Sequence, residues 1–236
     1  LTVLNRLSDA YKYVKLIDRN YSDQNETVQI NLKVADSDTR LQVEIPDFLG
    51  ENFRNLVELK ESELVSEWLK DTDTLVYFMN EVTPPEFEDD HGPEDDDSPM
   101  PAKEVPQFSI KTISAVAMNI MVLKCLLSKK SFKKVVIVLS WWDQKTNNGT
   151  TKNNPQEYLK DNSPALFNFI QHHIPNFEII GLSAQGQEYP KEDQGNYEVA
   201  KKEIKAKMRE GKRSFVEIED EIIHDLSLPL YLLIKE

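Results

Sequence analysis

Val135, Val136, Ile137, Val138 and Leu139 follow one another with no polar residue between them. A strand with one wet face alternates, so an unbroken aliphatic run of this kind must be covered on both sides. Lys133 and Lys134 stand at its entry. The fold must therefore place a layer on each face of at least one strand. The run 75–79 has the same character, and 177–182 reads as a further strand. Helical spacing fills the intervals. Leu1, Leu4, Leu7, Tyr11 and Val14 predict a helix already under way at the first residue. A single helix is predicted over 51–69, with Phe53, Leu56, Leu59, Leu64 and Trp68 on its buried side. Others are predicted over 109–127, 155–172 and 225–234, and 199–209 is a basic, helix-leaning stretch. Val28, Ile30, Leu32 and Val34 alternate, as does 41–45, about a polar turn at 35–39, which predicts a hairpin. Strands and helices alternating after an opening hairpin predict a three-layer α/β fold, its sheet mostly parallel with one antiparallel edge hairpin. Such sheets bind ligands just past the carboxyl ends of their strands, so the loops after Ile45, Met79, Leu139 and Leu182 are where chemistry is expected.

Composition narrows the class. The 236 residues suit a single domain, 1–236, with ample core. A hydrophobic share of 39% and a charged share of 29% exclude collagen-like and fully disordered chains. The longest apolar run, 228–234, falls far short of the ~18 residues of a membrane span, so no membrane partner is expected. One cysteine, Cys125, cannot form an internal disulfide, which predicts a cytoplasmic setting and a core role beside Met118 and Val122. The net charge of -13 argues against a nucleic-acid groove. Most of it lies in an acidic, proline-rich stretch at 81–107, read as a solvated loop insertion.

Three of the strand-end loops carry chemistry. Pro46-Asp47-Phe48-Leu49-Gly50-Glu51 offers a carboxylate that can hold Mg²⁺ through water and a glycine amide that can approach a phosphate. An N-cap Asp and a turn Gly explain the same residues. In Ser140-Trp141-Trp142-Asp143, an exposed Asp143 can accept two N–H groups from a guanine edge while a flat neighbour covers the base. Here too a plainer account stands, with Trp142 in the core and Asp143 forming a turn. Gly181-Leu182-Ser183-Ala184 has the small residues that let backbone amides reach a base carbonyl.

In order and spacing these loops resemble the P-loop GTPases of the TRAFAC type, specifically the bacterial double-GTPase branch. Its hydrophobic-P-D-x-x-G-E-x-F pattern is matched by Ile45 to Phe53, its T-K-W-D loop by Ser140-Trp141-Trp142-Asp143, and its S-A loop by Ser183-Ala184. Asp225-Leu226-Ser227-Leu228-Pro229-Leu230 is similar to the branch's closing D-[IL]-[ST]-x-P-[IL] segment. The resemblance implies a Ras-like P-loop NTPase fold that binds GTP or GDP with Mg²⁺, as a GTP hydrolase or nucleotide switch within a larger assembly, including bacterial defence systems. It assigns Asp47 to the metal, the Gly50 amide to the γ-phosphate, and Asp143, Ser183 and Ala184 to the base. Glu51 becomes a candidate for orienting the attacking water, and Trp141, where the family has Lys, for stacking on the base.

The phosphate-binding G-x-x-x-x-G-K-[ST] loop is absent from the 236 residues; the one Gly-Lys pair, Gly211-Lys212, has Ala206 where the first Gly belongs. The resemblance puts that loop after a strand in the middle of the sheet, between 41–45 and 75–79. A sheet without it would leave backbone groups unpaired, so the expectation is a first strand and P-loop upstream of Leu1. A nucleotide-free pseudo-GTPase serving as a protein-interaction module is the competing expectation. His172-His173 reads as a polar helix end, and the basic run 201–213 as a solvated helix face.

Overall fold

The computed structural model describes residues 2–14, 27–33, 38, 40–46, 50–58, 63–83, 113–146, 153–189 and 195–234. Within them the order is α1 (Thr2–Tyr13), β1 (Thr27–Lys33), β2 (Arg40–Pro46), α2 (Gly50–Glu58), α3 (Glu63–Leu69), β3 (Thr74–Met79), α4 (Ala115–Lys129), β4 (Lys134–Ser140), α5 (Trp142–Lys145), α6 (Pro155–Asn162), α7 (Pro164–His173), β5 (Phe177–Ser183), α8 (Tyr197–Arg209), β6 (Phe215–Ile218), β7 (Glu221–Ile223) and α9 (Leu228–Ile234).

The aliphatic run is β4, and both its faces are covered. Val135, Ile137 and Leu139 join one core with Leu75, Ile179 and residues of α2, α3, α4, α6 and α7. Val136 and Val138 face the other way, into a smaller core with Ile180, Val216 and Leu232 of α9. β3, β4 and β5 are parallel neighbours, with Met79 opposite Leu139 and Ser140 opposite Leu182. β6 and β7 then extend the sheet antiparallel, in the order β3-β4-β5-β6-β7.

The expected edge hairpin forms, as β1 paired antiparallel with β2, but as a separate two-stranded sheet that shares no ladder with β3. Among the described residues β3 is therefore an edge, and its Phe78 is 59% exposed. The hairpin β6-β7 is an element the sequence reading missed. Its turn, Glu219-Asp220, has Glu219 at φ 49 and none of the Asn-Gly chemistry that marks tight hairpins.

Two predicted single helices are pairs. The span 51–69 divides into α2 and α3, with 59–62 outside the described residues. The buried pair on α3 is Val65 and Leu69, one turn apart, so Leu64 points to solvent against expectation. The span 155–172 breaks at Ser163, whose φ of -147 is not helical. Pro164 disfavours helical backbone in the residue before it and donates no hydrogen bond, so it ends one helix and opens the next. Cys125 is half-buried against the larger core with Met118, as expected. The stretch 84–107, including most of the acidic insertion, lies outside the described residues.

Candidate functional site

β4 and β5 leave the sheet side by side at its carboxyl edge, and each hands over to a sharp turn. Trp141 takes a left-handed conformation, φ 55 and ψ 44, which swings the chain into α5 within one residue. Its indole is 58% exposed. Trp142 turns the opposite way and is fully buried. It lies on Gly181 of β5 so closely that any Cβ there would collide with the indole ring. Its Nε1 donates to Glu217 of β6 at 2.7 Å, and its ring meets Tyr158 edge-on at 5.3 Å between centroids. Trp142 is thus a peg that fixes the start of α5 to three elements.

Asp143 follows the peg and, against the expectation of an exposed carboxylate, is only 6% exposed, because Trp142 draws the start of α5 into the core. Its Oδ1 accepts a hydrogen bond from Ser183 Oγ at 2.5 Å, and that hydroxyl accepts from the Gly186 amide at 2.9 Å. The serine's single hydrogen is committed to the carboxylate, so the loops after β4 and β5 are locked together. Lys145, two residues on, donates from Nζ to the Asn80 carbonyl beyond the end of β3, at 2.6 Å. Burial lowers the Lys145 pKa, against the opposing pull of the Asp143 and Glu81 carboxylates.

The result is a nearly buried carboxylate oriented by a hydroxyl, two residues along the chain from an exposed indole. Paired N–H donors on a flat heterocycle would satisfy the first, and the face of the same ring would suit the second. Of the predicted site residues, Trp141, Asp143, Ser183 and Ala184 gather here; Ala184 is exposed, and its carbonyl accepts from Ser214 Oγ at 2.7 Å. Gly50 and Glu51 begin α2, which follows the separate hairpin, and among the described residues no strand ladder brings them to Asp143. Asp47 lies outside the described residues. Among the described residues no three His, Cys, Asp or Glu side chains cluster as metal ligands.

Three residues that buttress these turns escaped the sequence reading. Arg213 was expected on a solvated face but is 2% exposed, and Ser214 and Glu217 come from the unpredicted hairpin region. Gly211-Lys212 closes α8: the two amides donate to Met208 and Lys207 carbonyls, the bonding of a Schellman helix end.

A carboxylate–hydroxyl pair at adjoining strand ends of a layered α/β sheet is compatible with a GTPase-like domain. The chain belongs to the Double-GTPase 1 family, which it matches over residues 1–233, and membership implies guanine-nucleotide binding. No curated protein matches the chain, and no solved structure does. Among the described residues no helix is long and apolar enough to cross a membrane.

Proposed function

We propose that this chain binds GTP and GDP with Mg²⁺ and works as a GTP hydrolase or nucleotide switch, with Asp143 reading the guanine edge. The observation that supports the reading is the Ser183–Asp143 bond, which orients a nearly buried carboxylate two residues from an exposed indole at the carboxyl edge of the sheet. Asp143 would accept the two N–H groups of guanine, Trp141 would cover the ring, and the Ala184 amide would meet the base carbonyl. Adenine offers no such donor pair, and a carboxylate left unpaired beside it disfavours binding. When bound, Mg²⁺-GTP supplies the phosphoanhydride to be cleaved. Asp47 would hold the metal through water, the Gly50 amide would face the γ-phosphate, and Glu51 would orient water.

The 236 residues contain no glycine-rich phosphate loop. Support for one entering as part of a further strand comes from the sheet itself. Among the described residues β2 and β3 share no ladder, the family resemblance places such a strand between them, and Ile45 of β2 and Phe78 of β3 are both exposed. Cys125, which forms no disulfide, supports a reducing, cytoplasmic setting. A role in a larger assembly, including bacterial defence, rests on the resemblance.

Titration calorimetry of the natural full-length protein tests the reading. Asp143→Ala is expected to weaken GTP binding by roughly tenfold or more, the scale of hydrogen bonds to a charged group. Asp143→Asn, which presents a donor where guanine also donates, is expected to shift preference away from guanine. Unchanged GTP affinity in both variants would rule out base reading by Asp143. A wild-type protein that binds no nucleotide would favour the pseudo-GTPase.

A further inference from the structure

We propose that Arg213 and Ser214 are positioning residues for guanine recognition: they grip the turn 183–186 from outside and keep Ser183 on Asp143. The inference rests on the base-reading role proposed for Asp143.

The turn after β5 has no helix of its own to brace it. Its carbonyls are instead held by residues almost thirty positions later. Ser214 Oγ donates to the Ala184 carbonyl at 2.7 Å, and Arg213 Nε donates to the Gln185 carbonyl at 3.3 Å. Gly186, at φ 77, lies flat against the Arg213 carbonyl with no room for a Cβ. The β5–β6 ladder sets this up, because Ser183 pairs with Phe215 and so brings 213–214 alongside 184–186.

Arg213 is an expensive way to fill space. Its guanidinium is nearly sealed from solvent, stacked 3.9 Å over the Tyr11 ring and 5.0 Å from that of Tyr189. Nη1 donates to the Tyr11 carbonyl at 2.7 Å, whereas Nη2 has no partner among the described residues. An aliphatic side chain would occupy the same volume without desolvating a charge. What arginine adds is a rigid set of directed donors, spent here on the base-side turn and on the last turn of α1. Ser214 repeats the pattern: it gives its hydrogen to Ala184 and accepts from the Tyr11 hydroxyl at 2.9 Å. His224 Nδ1, 2.9 Å from the Ser214 carbonyl, anchors the pair to the end of β7. Both residues therefore tie α1 to the turn that orients Asp143, and neither touches the carboxylate itself.

The test compares Arg213→Lys and Ser214→Ala with Asp143→Ala, and with Lys212→Ala as an exposed neighbouring control, all in the full-length protein. Two readouts are needed: amide hydrogen exchange over 183–187 without nucleotide, and the ratio of GTP to inosine triphosphate affinity, since inosine lacks the 2-amino donor. In both latch variants, exchange at 184–186 is expected to rise roughly tenfold, and the GTP preference to fall about fivefold toward that of Asp143→Ala. Lys212→Ala should match wild type. A lowered melting temperature with unchanged exchange and unchanged preference would make the pair merely structural and overturn the proposal. Should Arg213→Lys fail to fold, Ser214→Ala decides by the same two readouts. If Asp143→Ala alone alters the preference, base reading survives and the latch fails. If Asp143→Ala leaves the preference unaltered, both fail.

Discussion

Gly181 shows how one missing methyl group sets the position of a distant carboxylate. The Trp142 indole occupies the space a side chain at 181 would need, and Asp143 follows directly on that indole. Gly181→Ala must push Trp142 off the strand, away from Glu217 and Tyr158. Overpacking of this kind costs about 2 kcal/mol, which urea unfolding would register as a lower midpoint. The same change should weaken GTP binding without touching any residue proposed to contact the nucleotide. Asp143 also shows why competing readings of a short motif need not exclude each other. Trp142 is a core residue, as the plain reading of Ser140 to Asp143 had it, and it is through that core packing that Asp143 reaches Ser183.

Among the elements, α9 shows how a motif legible in the sequence becomes a local device. It begins at Leu228, three residues later than 225–234 predicts, because Asp225 lies outside the helix and closes the turn that leads into it. Its Oδ1 accepts from the Ser227 hydroxyl at 2.7 Å and the Ser227 amide at 2.8 Å. Those bonds, the hydroxyl's first, hold the Asp225 carboxyl below its usual pKa. A carboxyl depressed by folding stabilises the fold above its unfolded value, near pH 4, and the benefit fades as pH falls through the lower folded value. Ser227→Ala is expected to raise the Asp225 pKa, measured by carboxyl NMR titration, and to move acid unfolding to slightly higher pH. β3, β4, β5 and α4 were readable because the apolar residues they bury lie together in the sequence, whereas α8, which buries only Ile204, was read from its basic, helix-leaning composition. Arg213 was not readable: a buried cation is recognised by its surroundings, and those come from Tyr11, Gln185 and Tyr189, far away in the chain. The break at Ser163 was written in Pro164, and its cue was outweighed by the apolar spacing on either side.

Across the whole molecule, the decisive feature is the edge that β3 presents among the described residues, where it shares no ladder with β2. An open strand edge that bears an exposed aromatic residue invites pairing with another chain. Phe78→Lys is therefore expected to reduce concentration-dependent self-association of the 236-residue chain, followed by sedimentation velocity. Because Phe78 is already largely in solvent, stability should change by no more than about 0.5 kcal/mol. The five-stranded sheet and its two cores position the base-side loops well; the hairpin that leads to Gly50 and Glu51 stands apart from them. Trp141 and Trp142 add a spectroscopic consequence. Two indoles adjacent in sequence sit in opposite surroundings, one facing water and one sealed against a strand. The outer fluorophore is open to collisional quenchers and to anything that settles on its face, while the inner one is shielded, so the chain carries its own optical gauge of what arrives beside Asp143.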